Sequence, residues 1–170
     1  MSILIAYFSC KGQNYCNGTI NNLAKGNTRI AAEFTNEAVG GDLYEVQTQK
    51  EYAKDYYDCI AEAKEELRSG ARPALKDLPE DLNGYDTVFL GYPNWWGTMP
   101  MAMFTFLEKY EWSGKKIIPF CTNEGSGMGS SERDIAAICK GATICRGLSI
   151  HGAETVQLRD KICKWAKDSL

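Results

Sequence analysis

The chain alternates short apolar segments with stretches in which apolar residues recur every three to four positions. Mostly apolar segments such as Ile3–Phe8 are typical of strands buried on both faces of a parallel sheet. The spacing of Ile30, Phe34 and Ala38 instead predicts one face of a helix. This alternation predicts an α/β fold, with a parallel sheet covered by helices on both sides. The predicted strands are Ile3–Phe8, Leu43–Val46, Thr87–Gly91, Lys116–Cys121 and Thr143–Ile150.

Size and charge narrow the classes of function. The 170 residues suffice for a single domain with an ordinary core, since 44% of them are hydrophobic and 24% are charged. A net charge of −3 disfavours nucleic acid and anionic membranes as partners. No apolar run approaches the roughly 18 residues of a membrane span, and the first residues enter a strand without a basic leader. We therefore expect a cytoplasmic protein.

The cysteines and histidines do not form a recognisable metal or redox motif. The seven cysteines are scattered and include no Cys-x-x-Cys pair, and His151 is the single histidine. This pattern argues against zinc ribbons and thioredoxin-type redox motifs. We expect reduced thiols and no metal site.

Parallel sheets bind ligands beyond the carboxyl ends of their strands, so the loops after Phe8, Gly91 and Cys121 are the candidate site. The first of these loops ends in the segment Lys25–Thr28, immediately before a predicted helix. A helix start offers unpaired N–H groups and the positive end of the dipole, which suits a phosphate. Gly26 would let the backbone approach the anion closely. The alternative is an ordinary helix cap with a turn glycine.

The second loop, Tyr92–Pro100, contains two adjacent tryptophans, Trp95 and Trp96. Side chains of consecutive residues diverge, so at least one indole should reach a site or the surface. Contact with a flat aromatic ligand would explain the pair, and anchoring of the loop to the core by one indole is the alternative.

The third loop, Thr122–Ser130, has glycines at alternate positions from Gly125 to Gly129. Such a loop can bring backbone N–H and C=O groups close to the polar edge of a heterocycle. The alternative is a surface loop without a ligand. Together the three loops predict a site for a mononucleotide with a flat polar ring.

In these motifs the chain resembles the flavodoxin family, in particular the branch with a Trp-Trp-Gly flavin loop. The resemblance rests on the segments Ile3–Ser9, Gly26–Thr28, Gly91–Pro100 and Phe120–Gly127 and covers nearly the whole chain. It implies a three-layer flavodoxin-like sandwich with a five-stranded parallel sheet of order 2-1-3-4-5, and FMN as the cofactor.

The resemblance also implies roles for the three loops. The first would hold the phosphate, the second would pack against the isoalloxazine ring, and the third would form the opposite wall. The implied cofactor-binding residues are Ser9, Lys25, Gly26, Asn27, Thr28, Pro93, Asn94, Trp95, Trp96, Gly97, Thr122, Asn123, Glu124, Gly125 and Gly127.

One departure from the family pattern is an insertion at about residues 10–24, which separates Ser9 from the Gly-Asn-Thr segment within a single domain 1–170. A reading without an insertion would place Gly12-Gln13-Asn14 at the phosphate instead. We favour Gly26–Thr28, because a helical pattern follows it and none follows Asn14. The polar insertion should loop out, over the ribityl chain or as a partner surface.

Three functions remain open. An electron-transfer protein is favoured, because FMN carries its own redox chemistry and no side chain need act as acid, base or nucleophile. The first alternative is an FMN-dependent NAD(P)H:quinone-type oxidoreductase, and the second is a flavin-free interaction module. The expected partners are redox proteins or small electron acceptors. The mild net charge of −3 is weaker than the strong acidity that usually steers the partners of such carriers.

Overall fold

The computed structural model describes all 170 residues. Strands and helices alternate as predicted, with two additional strands directly after the first. The strands are β1 Ile3–Tyr7, β2 Gly12–Cys16, β3 Thr19–Leu23, β4 Asp42–Glu45, β5 Thr87–Pro93, β6 Lys116–Asn123, β7 Thr143–Ile144 and β8 Leu148–His151. The helices are α1 Asn27–Val39, α2 Tyr56–Ser69, α3 Met101–Lys109, α4 Ser131–Ile138 and α5 Arg159–Asp168, and Gly152–Glu154 forms one 3₁₀ turn. None of these helices is long and apolar enough to cross a membrane.

A six-stranded parallel sheet forms the centre of the molecule. Its order is β4-β1-β5-β6-β7, and β8 also pairs with β6. The predicted α/β architecture with a parallel sheet is therefore confirmed. The predicted detail of five strands in the order 2-1-3-4-5 is not confirmed, because two short strands share the position beside β6 and a hairpin follows β1.

Pro119 explains why the last predicted strand is divided. The first two residues of β6 pair with β7, and Phe120–Asn123 pair with β8. The carbonyl of Ile117 accepts a bond from the N–H of Cys145, so the backbone groups of Ile117 face the edge of β6 that pairs with β7 and β8. Alternate residues of a strand face the same side, so the backbone of Pro119 faces this edge too. Proline has no N–H to donate, and the pairing is interrupted there.

The core lies on both faces of the sheet. Neighbouring residues of β1 point to opposite sides: Leu4 and Ala6 join a cluster of 19 buried residues, and Ile5 and Tyr7 join one of 11. Helices α3 and α4 contribute to the larger cluster, and α1 and α5 to the smaller. The result is a three-layer arrangement in which the loops at the carboxyl ends of β1, β5 and β6 meet at one edge.

Strands β2 and β3 form an antiparallel hairpin outside the sheet, and it takes up most of the insertion predicted at residues 10–24. Its turn is Asn17-Gly18, with φ of 51° and 86°, the left-handed conformation that Asn-Gly favours in two-residue hairpin turns. The hairpin lies against the start of α2. The Tyr15 ring stacks on the Tyr56 ring with centroids 6.2 Å apart, and Gln13 Oε1 accepts a 2.7 Å bond from the Tyr56 N–H.

Candidate functional site

A cavity of about 320 Å³ opens at the carboxyl edge of the sheet. The hairpin and α2 form one side of it, and the loops after β5 and β6 form the other. Its lining residues are Cys10, Gln13, Asn14, Tyr15, Asn27, Tyr56, Cys59, Ile60, Ala63, Pro93, Asn94, Trp95, Trp96, Thr122, Asn123, Glu124, Ser126 and Gly152. Eight of these 18 residues are hydrophobic, four of them aromatic, and most of the others are polar. A cavity that combines apolar surface with convergent polar groups is typical of ligand sites.

The start of α1 has the properties of an anion site. Gly26 is the N-cap residue, and no acidic residue lies in the first turn. The Arg29 N–H donates to Ser9 Oγ at 3.1 Å, whereas the N–H groups of Asn27 and Thr28 have no acceptor within the chain. Two free N–H groups at the positive end of a helix dipole fit a phosphate group.

Close packing explains the glycine at this helix start. A Cβ at position 26 would lie 2.2 Å from Ser9 Oγ and 2.7 Å from the carbonyl oxygen of Cys10. Only glycine therefore allows the loop after β1 to lie against the first turn of α1. The structure places the helix start at Gly26-Asn27, and the alternative segment Gly12-Gln13-Asn14 lies within β2.

A buried pair of hydroxyls joins the helix start to the loop after β6. Thr28 Oγ1 and Thr122 Oγ1 are 2.7 Å apart, and both side chains are buried. One hydroxyl donates to the other, which satisfies both polar groups away from water. This bond fixes the distance between the first and third predicted loops.

The second loop is a tight turn between Trp95 and Thr98. The Trp95 N–H donates to the Thr98 carbonyl at 2.8 Å, and the central residues Trp96 and Gly97 have φ of 57° and 91°. Asn94 holds the turn from inside, because its Oδ1 accepts a 2.8 Å bond from the Gly97 N–H. The turn directs the two indoles apart while both still line the cavity.

The two tryptophans have different surroundings. Trp95 packs edge-on against Phe8 and Tyr52, with centroids 5.1 Å apart in each pair, so its indole is braced by the core. Burial and the hydrogen bond that Tyr52 donates to Glu66 raise the pKa of Tyr52, so the hydroxyl of this neighbour of Trp95 stays neutral. Trp96 is 47% exposed and lies at the rim.

The third loop is organised by Asn123. Its Oδ1 accepts bonds from the N–H groups of Gly125 and Gly127, both at 3.0 Å. The carbonyl of Gly127 in turn accepts a 2.9 Å bond from Asn94 Nδ2, which joins the loops after β5 and β6. A side-chain amide thus shapes the glycine-rich backbone into one wall of the cavity.

Glu124 connects three parts of the site. Its Oε1 accepts a 3.1 Å bond from the Ala153 N–H, and its Oε2 lies 3.4 Å from the Asn17 N–H in the hairpin turn. The Nε2 atom of His151 lies 2.7 Å from the same Oε2, at an angle that does not make a hydrogen bond. The carboxylate therefore holds the hairpin over the carboxyl ends of β6 and β8.

The predicted site residues fall into two groups, those that line the cavity and those that lie outside its lining. Eight of them line it: Asn27, Pro93, Asn94, Trp95, Trp96, Thr122, Asn123 and Glu124. The remaining seven, Ser9, Lys25, Gly26, Thr28, Gly97, Gly125 and Gly127, lie in the same three loops outside the lining. Among these, Lys25 points away, because its Nζ pairs with Glu33 at 2.7 Å.

Ten lining residues lie outside the predicted cofactor-binding set, and eight of them form two groups. The first comes from the loop and hairpin after β1, where the dipeptide Asn17-Gly18 between two strand-like segments was a usable hairpin signal. The second comes from α2, where the helical face that includes Tyr56, Ile60 and Ala63 faces the cavity. The spacing of that face identifies a helix, but it does not distinguish a face on the core from a face on a cavity.

The sequence and the fold are similar to those of known proteins. The family model described as Flavodoxin matches residues 2–169. A candidate flavoprotein from Bacteroides uniformis ATCC 8492 is 31% identical, with a TM-score of 0.76 and coverage of 98% of this chain and 97% of that one. A second, from Bacteroides eggerthii DSM 20697, is 30% identical, with a TM-score of 0.77 and coverage of 98% and 96%.

A more distant structure is a flavoprotein from Lactobacillus acidophilus NCFM, solved in complex with FMN. It is 21% identical, with a TM-score of 0.67 and coverage of 92% of this chain and 97% of that one. At this identity the likeness shows a shared fold. No curated protein matches the sequence.

Proposed function

The chain belongs to the flavodoxin family, and we propose that it binds FMN in this cavity and works as an electron-transfer protein. The observation that carries the proposal is the combination of a helix start with two unpaired N–H groups and a cavity walled by indoles. A flavin mononucleotide has one chemical group for each of these features, a phosphate and a flat aromatic ring. The FMN complex of the Lactobacillus acidophilus flavoprotein, which shares the fold, agrees with this assignment.

The phosphate would bind at the start of α1. The N–H groups of Asn27 and Thr28 would donate to it, and Gly26 keeps the cradle free of a side chain. The Ser9 hydroxyl already accepts from Arg29, so its hydrogen is free to donate to the anion. These residues would anchor the cofactor without a direct ion pair, because Lys25 is paired with Glu33.

Trp95 and Trp96 would lie on one side of the ring, and the third loop would lie on the other. Indoles supply apolar area and aromatic stacking, and both exclude water from the ring. The backbone of the segment 123–126 would hydrogen-bond the polar edge of the heterocycle, since Asn123 already fixes its conformation. FMN, when bound, supplies the electron exchange itself.

The protein's own side chains favour a carrier over an enzyme that binds a second substrate. Glu124 is the single carboxylate in the lining, and its two oxygens accept bonds from the N–H groups of Ala153 and Asn17. The chain would therefore bind and orient the flavin and leave the exchange to a docked partner.

The purified protein tests the proposal in two steps. Heat denaturation should release FMN rather than FAD or riboflavin, which chromatography against standards identifies. The holoprotein should then take electrons from a ferredoxin-type reductase supplied with NADPH, but should oxidise neither NADH nor NADPH alone. Rapid unaided nucleotide oxidation coupled to quinone reduction would identify an oxidoreductase instead, and absence of any bound or bindable flavin would exclude both functions.

A further inference from the structure

Two cysteine side chains meet in the wall of the cavity. Cys10 lies in the loop between β1 and β2, and Cys59 lies in the first turn of α2. Both line the cavity, and each changes the pKa of the other. Cys10 is partly exposed, whereas Cys59 is buried. None of the remaining five cysteines lines the cavity.

The two thiols have opposite electrostatic surroundings. A hydrogen bond from Cys59 lowers the pKa of the Cys10 thiol, because it stabilises the thiolate. The same bond, together with burial and the charges of Glu62 and Glu66, raises the pKa of Cys59. Cys10 is thus the sulfur that ionises, and Cys59 keeps its proton. An accessible thiolate beside a second, protonated thiol is the arrangement found at redox-sensitive cysteines.

We propose that Cys10 and Cys59 are a peroxide-sensitive dithiol that closes to a disulfide in the cavity wall. The Cys10 thiolate attacks one oxygen of hydrogen peroxide, an S–O bond forms, the O–O bond breaks, and hydroxide leaves. The Cys59 sulfur then attacks the resulting sulfenic acid, an S–S bond forms, and the thiol proton departs with the displaced hydroxyl as water. Overall two thiols lose two electrons and two protons, and one peroxide becomes two waters.

The two cysteines lie on segments that face each other across one wall of the cavity. Closure brings the two sulfurs to the covalent distance of about 2 Å. The hairpin is joined to α2, because Gln13 Oε1 accepts from the Tyr56 N–H at 2.7 Å and the Tyr15 ring stacks on the Tyr56 ring. Asn14 Nδ2 donates to the Cys10 carbonyl at 3.0 Å, which holds Cys10 to the hairpin. A disulfide would fix the base of the hairpin to α2 covalently. The thiol pair needs no flavin to react, so it stands apart from the proposed function.

Peptide mapping tests the pair directly. Fully reduced wild-type protein is treated with one equivalent of hydrogen peroxide, alkylated and digested with trypsin. The peptides Met1–Lys11 and Asp55–Lys64 each contain one cysteine, so a disulfide between them identifies the pair without ambiguity. We expect this linked peptide, a fall from seven to five free thiols, and full reversal by a phosphine reductant.

Two variants and a control assign the roles. In Cys59→Ser, Cys10 should stop at a sulfenic acid that dimedone traps, and in Cys10→Ser no thiol should be lost at this dose. Cys163→Ser should behave as the wild type, because Cys163 is partly exposed on α5 and bonds only to the Phe34 carbonyl. A wild-type protein that keeps seven thiols, or that links other cysteines first, would overturn the proposal, as would unchanged thiol loss in Cys10→Ser.

Discussion

At the scale of single residues, Trp96 has the most unusual backbone conformation in the site. Its φ of 57° is left-handed, which costs a bulky residue about 1–2 kcal/mol. Two contacts offset this cost: Nε1 donates to the Ile60 carbonyl at 2.9 Å, and the Lys64 ammonium lies 5.0 Å from the ring centroid. The strained turn therefore joins the loop after β5 to α2 at the rim of the cavity.

Trp95, by contrast, is the indole whose position the core determines, and we expect Trp95→Ala to weaken FMN binding by about 10- to 100-fold. The estimate combines one lost aromatic pair with lost apolar area, about 1.5–3 kcal/mol. Titration of the apoprotein followed by flavin fluorescence measures the change. Riboflavin should lose as much affinity as FMN, because the missing contact is with the ring.

Trp165→Ala serves as the matched control for this variant. Trp165 packs on the opposite face of the sheet, against Phe89 and Phe120. Its loss should lower the thermal stability but leave the flavin affinity of the folded protein unchanged. Equal flavin affinity in Trp95→Ala and the wild type would show that Trp95 is not the ring's platform.

At the scale of elements, the site depends on how the start of α1 meets the loop after β1. Position 26 must be glycine for these segments to touch, since a Cβ would lie 2.2 Å from Ser9 Oγ. The hydroxyl bond between Thr28 and Thr122 then connects the helix start to β6. The proposed anion site is thus formed by three elements held together rather than by one motif.

Gly26→Ala should therefore lower FMN affinity at least tenfold while affecting riboflavin, which lacks the phosphate, much less. The new methyl group displaces Ser9 and Cys10 and tilts the N–H groups away from the anion. Isothermal titration with both ligands separates the two effects. Gly84→Ala is the matched control, because a Cβ at position 84 meets nothing within 4 Å. A parallel loss for both ligands would place the phosphate elsewhere.

At the scale of the whole molecule, the cavity exists only in the folded chain. Its lining comes from segments as far apart as Cys10 and Gly152, so the unfolded chain cannot bind the same ligand. A ligand that binds the cavity therefore stabilises the folded state against unfolding.

We expect FMN at about 100 times its dissociation constant to stabilise the apoprotein by about 2.7 kcal/mol and to raise Tm by about 5–10 °C. Scanning calorimetry at several FMN concentrations should show Tm rising with the logarithm of the free ligand concentration. An equal concentration of inorganic phosphate is the control and should give a much smaller shift. A constant Tm at saturating FMN would contradict binding in a cavity that folding assembles.

Local patterns in the sequence were enough to predict the α/β class, the family and the three loops. Buried parallel strands need continuous apolar segments such as Ile3–Phe8, and an amphipathic helix needs one apolar stripe, so both are visible along the chain. The loops follow from the same logic, because ligands bind where parallel strands end. The family prediction, based on the Trp-Trp-Gly and Gly-rich loops, is confirmed.

Contacts between distant segments were decided only by the tertiary structure. The interruption at Pro119 depends on which edge of β6 its missing N–H faces, and the presence of Cys10 and Cys59 in one cavity wall depends on how the hairpin lies on α2. Likewise, the face of α2 that includes Ile60 and Ala63 could have met either the core or a cavity. Periodicity reports which side of an element is apolar, but the element that packs against that side is set by the whole chain's burial and hydrogen bonding.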